Sequence, residues 1–136
     1  MKKFLTYDPK LLLYGFLILF FASYGQTFFI ALFNTEIKIF YGLSDGEFGL
    51  VYAIATLSSS FILISFAKLI DHLDLRVYSF IITLGFLFAC LGMVFLINNI
   101  LYLFLIIFML RFFGQGAMDH AGGTTMARYF GNDKGK

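Results

Sequence analysis

Four long apolar runs, parted only by short polar breaks, constrain this chain more than any other feature. They extend from Leu11 to Phe33, Phe48 to Ile70, Val77 to Ile97 and Ile100 to Ala127. At 1.5 Å per residue, a helix over each run crosses a hydrocarbon core of about 30 Å. Lipid offers no partner to backbone N–H and C=O groups, so the runs must satisfy themselves as helices or close into a barrel. Continuous apolar character over twenty residues selects helices. Apolar residues make up 60% of the chain and charged residues 13%, a balance that excludes a soluble domain of this length. The predicted fold is all-α, a single membrane bundle of four transmembrane helices over residues 1–136, with the lipid bilayer as its first partner.

Local signals mark the ends of the runs. Asp8-Pro9 stands before the first run, with Asp suited to the N-cap and Pro to the first helical position. A cleaved leader is the competing reading, since Lys2 and Lys3 precede an apolar stretch. The pattern resumes after Gln26-Thr27 as FFIALF, however, which makes the run too long for such a leader. Ser44 and Glu47 have the spacing of a capping box before the second run, and Gly42 and Gly46 let the preceding loop turn. Asn98-Asn99 is so short a connection that the third and fourth runs must form an antiparallel hairpin. Gly131-Asn132 offers a helix stop after the fourth.

The basic residues assign the sides. Lys2, Lys3 and Lys10 precede the first run, Lys68 and Arg76 lie around the break between the second and third, and Arg128, Lys134 and Lys136 follow the fourth. The other two breaks hold only Lys38, alongside Glu36, Asp45 and Glu47. Both termini are therefore predicted to be cytoplasmic, in a multi-pass protein of the inner (plasma) membrane. There are eight tyrosines and no tryptophan, so Tyr must supply the polar-tipped interfacial anchors. Cys90, the single cysteine, has no partner in the chain for a disulfide and reads as a small packing residue.

Arg111 lies deep in the fourth run. A guanidinium there costs about 2.5–3.5 kcal/mol on insertion scales, so it is expected to face a bundle interior or a wet path. Gln115 and Asp119 follow at four-residue intervals and share its helical face. This stripe predicts a substrate path lined by Arg111, Gln115 and Asp119, with Gln115 placed to bridge the two charges. Ser23, Gln26, Thr27 and Asn34 lie on one broad face of the first run. Gln26 is expected to meet Arg111, since both lie about midway through their spans. In the second run, Ser58, Ser59, Ser60 and Ser65 with Ala53 and Ala55 read as close-packing residues, as do Gly85, Ala89 and Gly92 in the third. His120 beside Asp119 is too isolated for a zinc site. No nucleophile–base pair and no phosphate-binding glycine loop is present, so neither an enzyme, a metal nor a cofactor is predicted. A net charge of +2 gives no reason to expect nucleic acid.

These residues together resemble the N-terminal part of a major facilitator superfamily transporter. The likeness rests on SYGQTFFIALF, on GLSDGEFGLVYAIATLSSS, on the loop AKLIDHLDLR and on RFFGQG in the fourth run, and it extends to the tail ARYFGNDKGK. In AKLIDHLDLR, Asp71 matches the acidic residue of the family's loop signature and Arg76 its closing basic residue. Ala67, His72 and Asp74 depart from it. The resemblance implies that Asp71 and Arg76 help to latch a cytoplasmic gate. It also implies the first four helices, a partial N-terminal half, of a twelve-helix fold whose substrate sits between two six-helix halves. The missing C-terminal helices then become partners. Arg111, Gln115, Gln26 and Asp119 would contact a small organic anion, with a proton as the candidate coupling ion although no acidic residue sits at mid-span. A non-transporting four-helix membrane interaction protein is the alternative.

Overall fold

The computed structural model describes residues 9–130. Asp8, Lys2, Lys3, Gly131-Asn132, Lys134 and Lys136, which carried the first N-cap, the last helix stop and part of the charge asymmetry, lie outside the described residues. Within them the chain is helical with no strand, and four helical stretches are long and apolar enough to cross a membrane.

The first span is not one helix. Helix α1 (Pro9–Ala22) tightens into a 3₁₀ turn at Ser23–Gly25, the backbone opens at Gln26 (φ −76°, ψ 154°), and α2 (Thr27–Ala31) resumes. This corrects the continuous helix expected from Leu11 to Phe33. A further difference follows. Residues read as a loop form α3 (Asn34–Tyr41), which buries Ile37 and ends at Gly42 in the left-handed region (φ 66°). Asn34 therefore starts a separate helix instead of extending the polar face of the first span.

The second span is regular. Helix α4 (Asp45–Phe66) opens on the predicted capping box: Ser44 N–H donates to the Glu47 carboxylate at 2.9 Å, and Ser44 Oγ accepts from Glu47 N–H at 3.4 Å. Gly46 lies in its first turn rather than in the loop. Ser59 and Ser60 both donate back to the Thr56 carbonyl, so they are small packing residues whose hydroxyls are satisfied within their own helix. The helix narrows to a 3₁₀ turn at Ala67–Asp71.

Helix α5 (Leu75–Val94) starts under Asp74, whose carboxylate accepts from Arg76 N–H. Tyr78, Ile82, Phe86 and Ala89 recur at helical spacing and are buried along one face. The hairpin at Asn98-Asn99 is held by Asn99, which caps α6 (Ile100–Met109), and by Tyr102, which donates across it to the Gly92 carbonyl at 2.9 Å.

The fourth span is the pillar of the bundle. Half of its most apolar stretch is buried, against 11% for the second span and 22% for the first and third. Every other span packs on it. It too departs from a plain α-helix. Between α6 and α7 (Asp119–Phe130), residues Leu110–Met118 adopt the wider π winding, with i→i+5 hydrogen bonds.

Candidate functional site

The two irregular segments meet. Gly25 of the first span lies against the π segment so closely that an added Cβ would come within 2.5 Å of the Leu110 carbonyl oxygen and 2.7 Å of Gly114 Cα. Only glycines allow two backbones to cross at this distance. Irregular backbone at membrane depth is tolerated where protein covers it or where it lines a cavity. Here Gly25 and Gly114 are both buried.

Opening the first span at Gln26 releases backbone groups from the helical ladder, and Arg111 uses one of them. Its Nη1 donates to the Gly25 carbonyl at 3.4 Å and to Thr27 Oγ1 at 3.0 Å. Its guanidinium carbon lies 5.4 Å from the centre of the Tyr52 ring, a cation–π contact from α4. Tyr52 also donates to Thr27 Oγ1 at 2.9 Å, so that hydroxyl accepts from both side chains. Three spans thus converge on one charge, which is only 8% exposed.

Asp119 lies on the other side of the crossing. It accepts from Gln26 Nε2 at 2.7 Å. Side chains lean toward the N-terminus of their own helix, so residues on antiparallel spans can lean toward each other, as Gln26 and Asp119 do. A carboxylate is thereby brought to the break in the first span, although no acidic residue lies at mid-span in the sequence.

The π winding alters the predicted stripe. In an α-helix a residue four positions on overshoots a full turn by about 40°; with an i→i+5 ladder it falls short. Gln115 does not bridge Arg111 to Asp119. Instead the Gln115 Oε1 and Arg111 Nε atoms are buried without hydrogen-bond partners. Asp119 pairs instead with Gln26 on the opposite span, and Arg111 is held by Gly25 and Thr27 on either side of that residue, with no hydrogen bond between the Gln26 and Arg111 side chains where the sequence predicts a meeting. Tyr52 and Gly25 are not marked as site residues by the sequence, and Thr27 is marked only as part of the first span's polar face. A cluster of small and polar residues, SYGQT, was the available signal for two of them, and nothing distinguished Tyr52 from the other tyrosines.

The loop residues divide. Asp71 pairs with Arg128 at the end of α7, tying the second span to the fourth. Arg76 does not join that pair. Its side chain lines a separate cavity with Lys10. Arg128 was read only as a topology charge, and its distance in sequence from Asp71 hid the pairing. Among the described residues, no cluster of three metal-ligating side chains occurs.

Four helices long and apolar enough to cross a membrane agree with the match of residues 4–136 to the family model described as Major Facilitator Superfamily. The chain belongs to the major facilitator superfamily. Members of this superfamily are transporters rather than enzymes, and the chain is a multi-pass membrane protein. No match was found among curated proteins or solved structures.

Proposed function

We propose that the chain supplies the first four spans of a secondary transporter for small organic anions, and that Arg111, Gln115, Gln26 and Asp119 form part of its substrate wall. The observation that carries this reading is the buried Arg111 guanidinium, presented by a π segment and braced by a broken helix. Discontinuous membrane helices offer freed backbone groups to charges. The unpartnered Arg111 Nε–H suits a carboxylate, and the unpartnered Gln115 carbonyl suits a hydroxyl or amine on the same molecule. Asp119 is the group that would take up a coupling proton, in symport. Asp71 with Arg128 would latch the cytoplasmic end, with Arg76 at the start of the next helix.

Alternating access needs two bundles rocking about one site, so eight further helices are expected to complete the protein. Reading the DNA beyond the codon for Lys136 tests this, since further apolar spans are required. Uptake by the completed protein in proteoliposomes then tests the substrate class. Hydroxy or amino carboxylates should compete with one another, whereas neutral analogues should not. Competition by neutral analogues alone would overturn the reading.

We also propose cytoplasmic termini and an inner (plasma) membrane location, from the basic residues clustered on one side. Single cysteines at Ser44 and Asn98, in a Cys90→Ala background, should react with an impermeant maleimide on intact cells, and one at Gly131 should not. The opposite pattern would invert the topology.

A further inference from the structure

The opening of the backbone at Gln26 decides what Arg111 can hold. In a continuous α-helix the Phe29 N–H would close on the Gly25 carbonyl. Here it donates to the Gln26 carbonyl at 3.1 Å, which leaves the Gly25 oxygen for a side chain. A guanidinium has five N–H donors, two on each Nη and one on Nε. Arg111 Nη1 reaches two acceptors, Thr27 Oγ1 at 3.0 Å and the Gly25 oxygen at 3.4 Å, so the first span engages both of its hydrogens. Among the described residues, no acceptor is bonded to Nε or Nη2. Those two atoms form the edge that takes a carboxylate side-on, one oxygen to each.

Thr27 is the closer of the two anchors, and its own oxygen is held in turn. A hydroxyl has two acceptor sites. Arg111 fills one of them, and Tyr52 fills the other by donating at 2.9 Å. The Thr27 hydrogen is thereby turned away from the guanidinium. The Tyr52 ring also lies 5.4 Å from the guanidinium carbon, so one residue contacts the cation by its face and fixes the cation's acceptor by its hydroxyl. We infer that Thr27 and Tyr52 are positioning residues for anion recognition: they hold Arg111 by its Nη1 side and present the Nε–Nη2 edge to a carboxylate. This role rests on the reading of Arg111 as a substrate contact. Neither residue has to touch the substrate. A fork held in one orientation favours a planar carboxylate over its carboxamide, whose single oxygen can take only one of the two N–H groups.

The test is equilibrium binding to the completed transporter, with lactate, malate, alanine and aspartate as probes and the carboxamide of each as its counterpart. Thr27→Val keeps the shape of the side chain and removes the acceptor. It should weaken carboxylate binding about tenfold and leave carboxamide binding within about twofold. Thr27→Ser restores the hydroxyl and should return affinity to within about twofold of the parent. Tyr52→Phe keeps the ring and removes the donor, so a loss of about threefold is expected, again for the carboxylate alone. In an Arg111→Gln background, Thr27→Val should add no more than about twofold, because no guanidinium remains to be aimed. If Thr27→Val does not insert, Tyr52→Phe carries the same comparison. Parent affinity in Thr27→Val, beside a strong loss in Arg111→Gln, would overturn the positioning role alone. So would equal losses for carboxylate and carboxamide, failure of serine to restore binding, or an undiminished tenfold effect in the Arg111→Gln background. Parent affinity in Arg111→Gln, or a parent that binds none of the probes, would overturn the substrate role of Arg111 and the positioning role with it.

Discussion

The first and fourth spans differ from the second and third in how they treat their backbones. Helices α4 and α5 run unbroken for 22 and 20 residues, and much of their surface is exposed and apolar: Ile54, Leu57, Phe61 and Ile64 on one, Phe80, Leu87 and Phe88 on the other. The first span opens at Gln26 and the fourth widens at Leu110–Met118, and the two irregularities touch. At the crossing, protein covers the irregular backbone, and Arg111 bonds the Gly25 carbonyl of the first span. In this bundle irregularity and charge are therefore one feature, and the regular spans form the wall around it.

The sharpest way to break that contrast is to deny the crossing its space. Gly25→Val should be the most damaging change in the chain. Its first side-chain carbon would fall within 3 Å of Leu110, Gly114 and Gln115 backbone atoms, which no rotamer change relieves. Overpacking of this kind costs typically about 1–3 kcal/mol and more where backbone must shift. Thermal unfolding in detergent should show a drop of several degrees or loss of the folded bundle. A melting temperature unchanged from the parent would mean that the two spans do not cross here.

Arg111 comes next, because it tests whether the irregularity serves a charge. Arg111→Gln removes the cation, and Arg111→Lys keeps the charge but not the fork that reaches Gly25, Thr27 and a ligand together. A hydrogen bond to a charged group contributes about 1.5–3 kcal/mol, so anion uptake by the completed transporter should fall about tenfold to hundredfold in both variants. Insertion into the membrane should continue. Normal uptake with glutamine at this position would reduce Arg111 to a packing residue.

The same contrast decides what could be read from the sequence. Length and apolarity fix the four spans, because a membrane helix must satisfy its own ladder. The capping box at Ser44 and the hairpin at Asn98-Asn99 are local chemistry and were equally legible. The break at Gln26 and the π winding were not, because they arise where two spans press together and no local propensity signals them. That is why helical spacing alone puts Gln115 between Arg111 and Asp119, whereas Asp119 pairs with Gln26 on another span and Arg111 with Gly25 and Thr27. Likewise α3 was read as a loop, since its polar residues Asn34, Thr35, Glu36 and Lys38 masked the buried Ile37. The Asp71–Arg128 pair joins residues on different spans, and a single sequence carries no such information.

That pair offers a gentler test, at the ends of the regular and irregular spans. Both side chains are about half exposed, so the interaction is worth at most about 1 kcal/mol in stability. Asp71→Asn should leave the melting temperature nearly unchanged and substrate affinity within a few-fold. If the pair latches one state of the cycle, turnover should nevertheless slow, as measured by uptake rate against equilibrium binding. A large loss of binding with an unchanged cycling rate would assign Asp71 to the substrate site instead.

The smallest effect should come from the regular wall, and its direction is opposite. Gly49 lies in α4 with nothing within 4 Å of where a Cβ would be, and it faces outward. Alanine there meets no neighbour and removes the entropic penalty of glycine in a helix, which is at most about 1 kcal/mol. Gly49→Ala should therefore hold or slightly raise the melting temperature, while the equally small addition Gly25→Ala lowers it. The two variants differ only in position. If both destabilise to the same degree, tight packing is general to the bundle and the distinction between crossing and wall fails. If only Gly25→Ala does, the space at that crossing is the constraint that shapes both irregular spans.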